Sequence, residues 1–419
     1  RSSRLQRRLI DTGLAVSAAA YVRAFQYTGL FMLSATPAPS VTLTELEEAL
    51  FGEVERLRHG EVGAEEFARA QKQVRASLLY TMESTMHQAT LLGSTVLTRG
   101  VEQFDRALEE LEAVTPADVL RVARQYLDQR RRTVAHFVPG EATTTVTPAT
   151  PSQTLSGEAS TTPDYQKPAV RPVARPDAGP VRPMITPDRV VRRKLSVGPV
   201  LLALPTPSLP SVFVRVQMEA GAVHEPPEKA GLAQLVAGLL TRGTAAYTAQ
   251  ELGAITDALG MSLRVDVGRE TAVAWLKCLP EDLVRGLGLL AEVIRRPTFP
   301  ADEIERLRTQ MVVAWRRSED DSRSVAARRL VELMYPERHP FRHPIGGTEE
   351  TLTGLRAEDL VRFHGAHYGP QDAVITVVGD IDPEAVTAAL EEAFAGWSGG
   401  TGRTAVPPVP PPAGGRVQV

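Results

Sequence analysis

The feature that most constrains the fold of this chain is an internal repeat. The segments TPADVLRVARQYLDQRRRTVAHFV (115–138) and LRAEDLVRFHGAHYGPQDAVITVV (355–378) share one layout: an acidic first turn, an amphipathic helix, an aromatic residue, a turn and a strand. Asp118 aligns with Asp359, which gives an offset of 241 residues between the copies. Repetition on this scale indicates duplicated domains rather than a solenoid of short units.

A stretch rich in Pro, Thr and Ser separates the two copies. Residues 140–187 have no hydrophobic periodicity and are predicted to be a semi-extended linker. We expect residues 1–139 to be the C-terminal portion of the first domain, because the repeat offset places about 53 further residues before Arg1. Residues 188–400 form the second copy, and residues 401–419 are predicted to be a Pro-rich linker with the start of a further domain.

The hydrophobic pattern within each copy predicts a mixture of strands and helices. Strands are expected at residues 13–22, 29–36, 133–138, 199–204, 211–219, 262–267, 271–279 and 373–379. Helices are expected between residues 42 and 126, and at about 230–244, 280–295, 301–319, 322–334 and 356–367. The predicted fold class is therefore α+β, with each copy a mainly antiparallel sheet that helices cover on one face.

Composition excludes several classes of protein. The formal net charge of −3 does not fit a nucleic-acid-binding chain. No apolar run is long enough for a membrane span, so we expect none. Cys278 is the single cysteine, which leaves no disulfide framework and no cysteine-based metal site within one chain. These observations favour a globular protein of 419 residues with more than one domain.

The segment AGLAQLVAGLLTRGT (230–244) is a predicted helix with two different faces. The apolar face consists of Leu232, Leu235, Val236, Leu239 and Leu240, the pattern of a helix that faces a core. The opposite face carries Gln234, Ala237 and Gly238, which are neighbours at helical spacing. Two interpretations remain open at this point: close packing of another backbone against small residues, or a former functional face.

The ordered motifs of the second copy resemble the pitrilysin/insulinase family of zinc metallopeptidases, the inverzincins, which include mitochondrial-processing-peptidase-like domains. The resemblance begins with VQMEAGAVHEPPEKAGLAQLVAGLLTRGT and continues through YTAQELGAITDALG and LLAEVIRRPTFPADEIERLR. It ends with HPFRHPIGGTEETLTGLRAEDLVRFHGAHYGPQDAVITVVGDID. The first copy resembles the companion domain of the same family.

The resemblance implies where a catalytic zinc site would lie. Active members of the family carry His-x-x-Glu-His on the first helix, where two His ligate zinc and the Glu activates a water molecule. The corresponding positions here are Gln234, Ala237 and Gly238, and the family's third ligand corresponds to Ala314. The resemblance therefore implies no catalytic residue and no metal ligand in this chain.

Other candidate residues are few. The family's Arg and Tyr, which hold substrate near the metal, correspond to Ile10 and Val16, so the sequence identifies no substrate-binding residue. His364 and His367 lie three residues apart on a predicted helix, and the segment RHPFRHP contains further His residues in a Pro-rich turn. Neither pair has a third ligand placed to complete a zinc site.

Two functions are compatible with the resemblance. The first is the non-catalytic middle portion of a zinc metalloendopeptidase, which walls a chamber for unfolded peptides while zinc is bound by an upstream domain. The alternative is a non-catalytic partner subunit or scaffold of a two-chain processing peptidase. In both cases we expect zinc to be bound by a missing domain or by a partner, because the chain belongs to a proteolytic family but lacks the zinc ligands. The resemblance does not decide between a cytoplasmic and a periplasmic location.

Overall fold

A computed structural model describes residues 3–25, 27–38, 41–60, 62–98, 100, 106–138, 186–402 and 406–408. The chain divides into two units, residues 1–127 with 187–419 and residues 128–186. The predicted linker at 140–185 lies outside the described residues, as do most of the residues of the predicted Pro-rich segment after residue 402. Within the described part of the chain, no helix is both long and apolar enough to cross a lipid bilayer.

The first half of the chain folds as a strand hairpin followed by helices. Strands β1 (Ala15–Ala24) and β2 (Gly29–Pro37) pair antiparallel. The helices are α1 (Leu43–His59), α2 (Ala64–Thr81), α3 (Thr85–Thr98), α4 (Ala107–Ala113) and α5 (Pro116–Tyr126). Helix α1 begins at a capping box, in which Thr42 and Glu45 satisfy each other's backbone N–H groups. A small core of Leu9, Ala15, Leu46 and Leu50 joins the hairpin to α1.

The second half is built around one sheet with helices packed on it. The strands are β3 (Val191–Lys194), β4 (Val200–Pro205), β5 (Val212–Met218), β6 (Ser262–Val267), β7 (Ala272–Cys278) and β8 (Val374–Gly379). The helices are α6 (Leu232–Leu239), α7 (Ala249–Ala258), α8 (Leu283–Arg295), α9 (Ala301–Asp320), α10 (Ser322–Met334), α11 (Glu349–Gly354), α12 (Ala357–His367) and α13 (Pro383–Ala393).

The strand order of this sheet is β3-β4-β8-β5-β7-β6. Within it β4 and β8 run parallel, and the other neighbouring strands pair antiparallel. Alternate residues of β5, β7 and β8 are fully buried, while the residues between them are half-buried. The buried side chains pack with those of α6, α8, α12 and α13 into one core. The predicted fold class, an α+β protein with a mainly antiparallel sheet and helices, is confirmed.

The strand predicted at residues 133–138 is wrong. This segment has no strand partner among the described residues, and Phe137 is 91% exposed. Its counterpart in the second copy, β8, is a central strand between β4 and β5. An alternating sequence becomes a strand only where a neighbouring strand accepts and donates the backbone hydrogen bonds.

Candidate functional site

Helix α6 carries three of the positions that the sequence analysis singled out, and a buried carboxyl group fixes its start. The Glu225 carboxylate accepts hydrogen bonds from the backbone N–H groups of Gly231, at 3.1 Å, and of Ala233. This is the role of a helix cap, although Glu225 lies several residues before the helix. Burial raises the pKa of Glu225 to about 8, against the opposing effect of the two backbone donors.

The two faces of α6 are arranged as the sequence pattern predicts for a core helix. All five residues of its apolar face are buried. On the other face Gln234 is exposed, Gly238 is half-buried and Ala237 is buried. A Cβ placed on Gly238 would lie 2.7 Å from Cδ2 of Leu307 on α9. Close packing therefore accounts for the small residue at position 238. The neighbour is the side chain of Leu307 and not the backbone that the sequence analysis had considered.

Gln234 and Ala314 line one cleft of about 470 Å³, which falls within the range of small-ligand pockets. Helix α6 supplies Gln234, and helix α9 supplies Ala314. The other lining residues come from α9, α10, the β6–β7 turn and the loop before α11: Arg269, Met311, Trp315, Ser318, Ser324, Ala327, Arg328, Val331, Arg342, His343, Pro344, Gly346 and Gly347. The structure thus brings two of the three predicted metal-ligand positions together at one cavity.

The charged groups of this cleft are guanidinium groups. The guanidinium of Arg328 lies 4.5 Å from the ring centroid of Trp315 and pairs with Glu319. Arg269 Nη1 donates to the carbonyl oxygen of Phe341 at 2.7 Å. Arg342 Nη1 donates to the carbonyl oxygens of Glu332 and Tyr335. No carboxylate is among the residues that line the cleft.

The side chains at the four predicted positions do not fit zinc. A catalytic zinc site uses three protein ligands drawn from His, Cys, Asp and Glu. Gln234, Ala237, Gly238 and Ala314 offer one neutral amide, two methyl groups and a hydrogen atom. In the part of the chain that the structure describes, no three His, Cys, Asp or Glu residues are grouped closely enough to hold a metal ion.

The remaining sequence candidates lie elsewhere. Ile10 ends the short π-helical segment Gln6–Ile10, and Val16 on β1 is 65% exposed. His364 Nε2 lies 2.8 Å from the carbonyl oxygen of Ile294 in the core. His339 is buried, with Nε2 at 3.0 Å from the carbonyl oxygen of Pro407. Each of these imidazoles therefore contacts a backbone carbonyl.

Sequence reasoning missed a cluster of titratable groups near the start of α6, which consists of His224, Glu225, His367 and Tyr368. The rings of His224 and His367 lie 4.3 Å apart. Burial, together with the neighbouring His224, lowers the pKa of His367 to about 4. Burial, with Glu225 nearby, raises the pKa of the fully buried Tyr368. No sequence signal reveals this cluster, because α12 supplies His367 more than a hundred residues after His224.

Two family models match the chain. Residues 201–346 match "Insulinase (Peptidase family M16)", and residues 1–74 and 354–419 match "Peptidase M16 inactive domain". Together the matches span more than half of the chain, and both models describe domains of one peptidase family. The chain belongs to the insulinase family, peptidase family M16, which confirms the resemblance to the pitrilysin/insulinase family predicted from its motifs.

The curated relatives are distant in sequence. An "Uncharacterized zinc protease" of Rickettsia bellii is 22% identical over 207 residues, which cover 49% of this chain and 50% of the relative. An "Uncharacterized zinc protease YmxG" of Bacillus subtilis is 27% identical over 175 residues, which cover 42% of this chain and 42% of the relative. The chain spans about half the length of the curated relatives it matches. A crystal structure titled "peptidase M16 inactive domain" from Pseudomonas fluorescens is 24% identical, with a TM-score of 0.49, and the match covers 52% of this chain and 53% of that one.

Proposed function

We propose that this chain is the non-catalytic middle portion of an insulinase-family zinc metalloendopeptidase. In this role its domains wall a chamber that holds unfolded peptides, and zinc is bound by a domain upstream of Arg1. The observation that carries the proposal is the composition of α6 and α9: helix α6 packs into the core, while the three metal-ligand positions and the general-base position carry no His, Cys, Asp or Glu. The match to the inactive-domain family supports the same assignment.

The first test is the zinc content of the purified chain after dialysis, measured by inductively coupled plasma mass spectrometry. We expect well below one equivalent. The matched control carries Gln234→His, Ala237→Glu, Gly238→His and Ala314→Glu together with Leu307→Ala, which removes the side chain that fills the space at Gly238. This control is expected to bind more zinc than the unmodified chain. One tight equivalent in the unmodified chain would contradict the proposal.

The second test addresses the longer protein. We expect the reading frame upstream of Arg1 to encode His-x-x-Glu-His, and the extended chain to hydrolyse unfolded peptides. An extended reading frame without that motif would refute the single-chain assignment. If hydrolysis instead appeared only after mixing with a separately encoded chain, the alternative, a non-catalytic partner subunit of a two-chain processing peptidase, would be correct.

A further inference from the structure

The cleft between α6, α9 and α10 has an uncompensated positive charge. Arg328 is paired with Glu319, but Arg269 and Arg342 make no ion pair with any described residue. Both bond to backbone carbonyls through Nη1 alone, which leaves Nε and Nη2 of each guanidinium without an acceptor in the described part of the chain. Two such groups disfavour a bound cation and favour a bound anion.

A further polar side chain, that of Gln234, lines the same space. The exposed amide of Gln234 adds a donor at the position where the family has a metal ligand.

The remaining wall of the cleft is apolar. Met311 and Trp315 on α9 and Val331 on α10 line it. A small inorganic anion would leave these side chains uncovered, whereas a carboxylate joined to an apolar group would contact both kinds of surface. Guanidinium groups bind carboxylates through paired N–H donors, a geometry that suits Arg269 and Arg342.

We propose that this cleft binds a carboxylate group of a peptide, either the C-terminal carboxylate or that of an Asp or Glu side chain, beside an apolar residue. This inference rests on the proposed function in that it takes peptides as the ligands of the chain. The cleft that has lost its metal ligands is then an anchoring site, which holds a peptide by a charged group without cleaving it.

The test is direct binding to the purified chain by isothermal titration calorimetry at low salt. Four probes are compared: acetyl-Ala-Ala-Leu with a free carboxylate, the same peptide as its amide, acetyl-Ala-Glu-Leu-amide, and inorganic phosphate. We expect the free-carboxylate peptide to bind at least about tenfold more tightly than its amide, and binding to weaken as salt is added. The glutamate peptide shows whether a side-chain carboxylate serves equally well. Phosphate that binds as tightly as the free-carboxylate peptide would overturn the assignment of a peptide ligand.

Matched variants locate the site. Gln234→Glu places a negative charge in the cleft at an exposed position and is expected to weaken binding about tenfold, while Gln234→Lys strengthens it. Gln250→Glu, at an exposed position of α7 outside the cleft, is the control and leaves binding unchanged. Circular dichroism and urea unfolding establish that the three variants fold alike.

The outcomes separate this inference from the proposed function. Equal binding of the peptide acid and its amide, or equal effects of Gln234→Glu and Gln250→Glu, would overturn the carboxylate site. Neither result depends on zinc content or on hydrolysis, which test the proposed function by separate measurements. Tight binding of zinc by this chain would refute the proposed function. The peptide-binding measurements would still decide separately whether the carboxylate site exists.

Discussion

The stability of helix α6 should depend on pH through Glu225. The pKa of this buried carboxyl group is raised from 4.5 to about 8, so the folded chain keeps a proton that the unfolded chain loses. The free energy of unfolding therefore contains a contribution that is complete below pH 4.5 and is lost as pH rises towards 8. Substitution of Glu225 by Gln removes this titration.

The titration of His367 limits the pH range in which the effect of Glu225 can be measured by itself. His367 has its pKa lowered from 6.5 to about 4, so its contribution to stability is present above pH 6.5 and is lost as pH falls towards 4. The two effects oppose each other between about pH 4.5 and 6.5. Between pH 6.5 and 8 Glu225 continues to titrate alone within this cluster, and the free energy of unfolding is expected to fall by about 2 kcal/mol.

The assay is urea unfolding followed by tryptophan fluorescence at intervals from pH 6.5 to 8. Glu225→Gln is expected to abolish the decrease, and to lower stability at pH 6.5 by about 1–2 kcal/mol, because the amide NH2 cannot accept from a backbone N–H whereas the hydroxyl oxygen of the protonated carboxyl group can. Glu251→Gln is the control, since Glu251 caps α7 at an exposed site and its pKa is already below 4.5 through hydrogen bonds from Thr248. If the free energy of unfolding of Glu225→Gln and that of Glu251→Gln decreased with pH at the same slope, the assignment of the pH dependence to Glu225 would be refuted.

Three further substitutions or reagents test the packing around the sheet. Gly347→Ala is expected to lower the free energy of unfolding by about 2 kcal/mol, because φ is 72° and an added Cβ would overlap a backbone carbonyl, whereas Gly346→Ala in open space has little effect. Tyr80→Phe should cost about 1 kcal/mol in urea unfolding, since its hydroxyl donates to the Gly260 carbonyl at 2.9 Å. The Cys278 thiol is buried, with its pKa raised to about 12, so iodoacetamide at pH 8 should modify it after unfolding in urea and not before. Rapid modification of the native chain would contradict that burial.

Much of the second half could be predicted from local pattern. Alternation in SVFVRVQME identified β5, because strand residues that alternate between a core and a more exposed face tend to alternate in polarity. The apolar run in TAVAWLKCL identified β7. The strand predicted at 133–138 was wrong because pairing depends on a neighbour that the local sequence does not specify. The cleft could not be predicted for the same reason, because it is formed by segments that are far apart in the chain. Arg269 lies in a hairpin turn, and Arg342 lies in a loop more than seventy residues later.

The sequence by itself determined the family, the class of fold and the absence of zinc-ligating and general-base side chains at Gln234, Ala237, Gly238 and Ala314, since residue type and helical spacing are local properties. Only the tertiary structure decided which groups share an environment: the unpaired guanidinium groups beside Gln234, and the carboxyl group of Glu225 buried near Tyr368. Charge compensation and desolvation depend on distances between segments far apart in the chain, and those distances are set when the helices pack against the sheet.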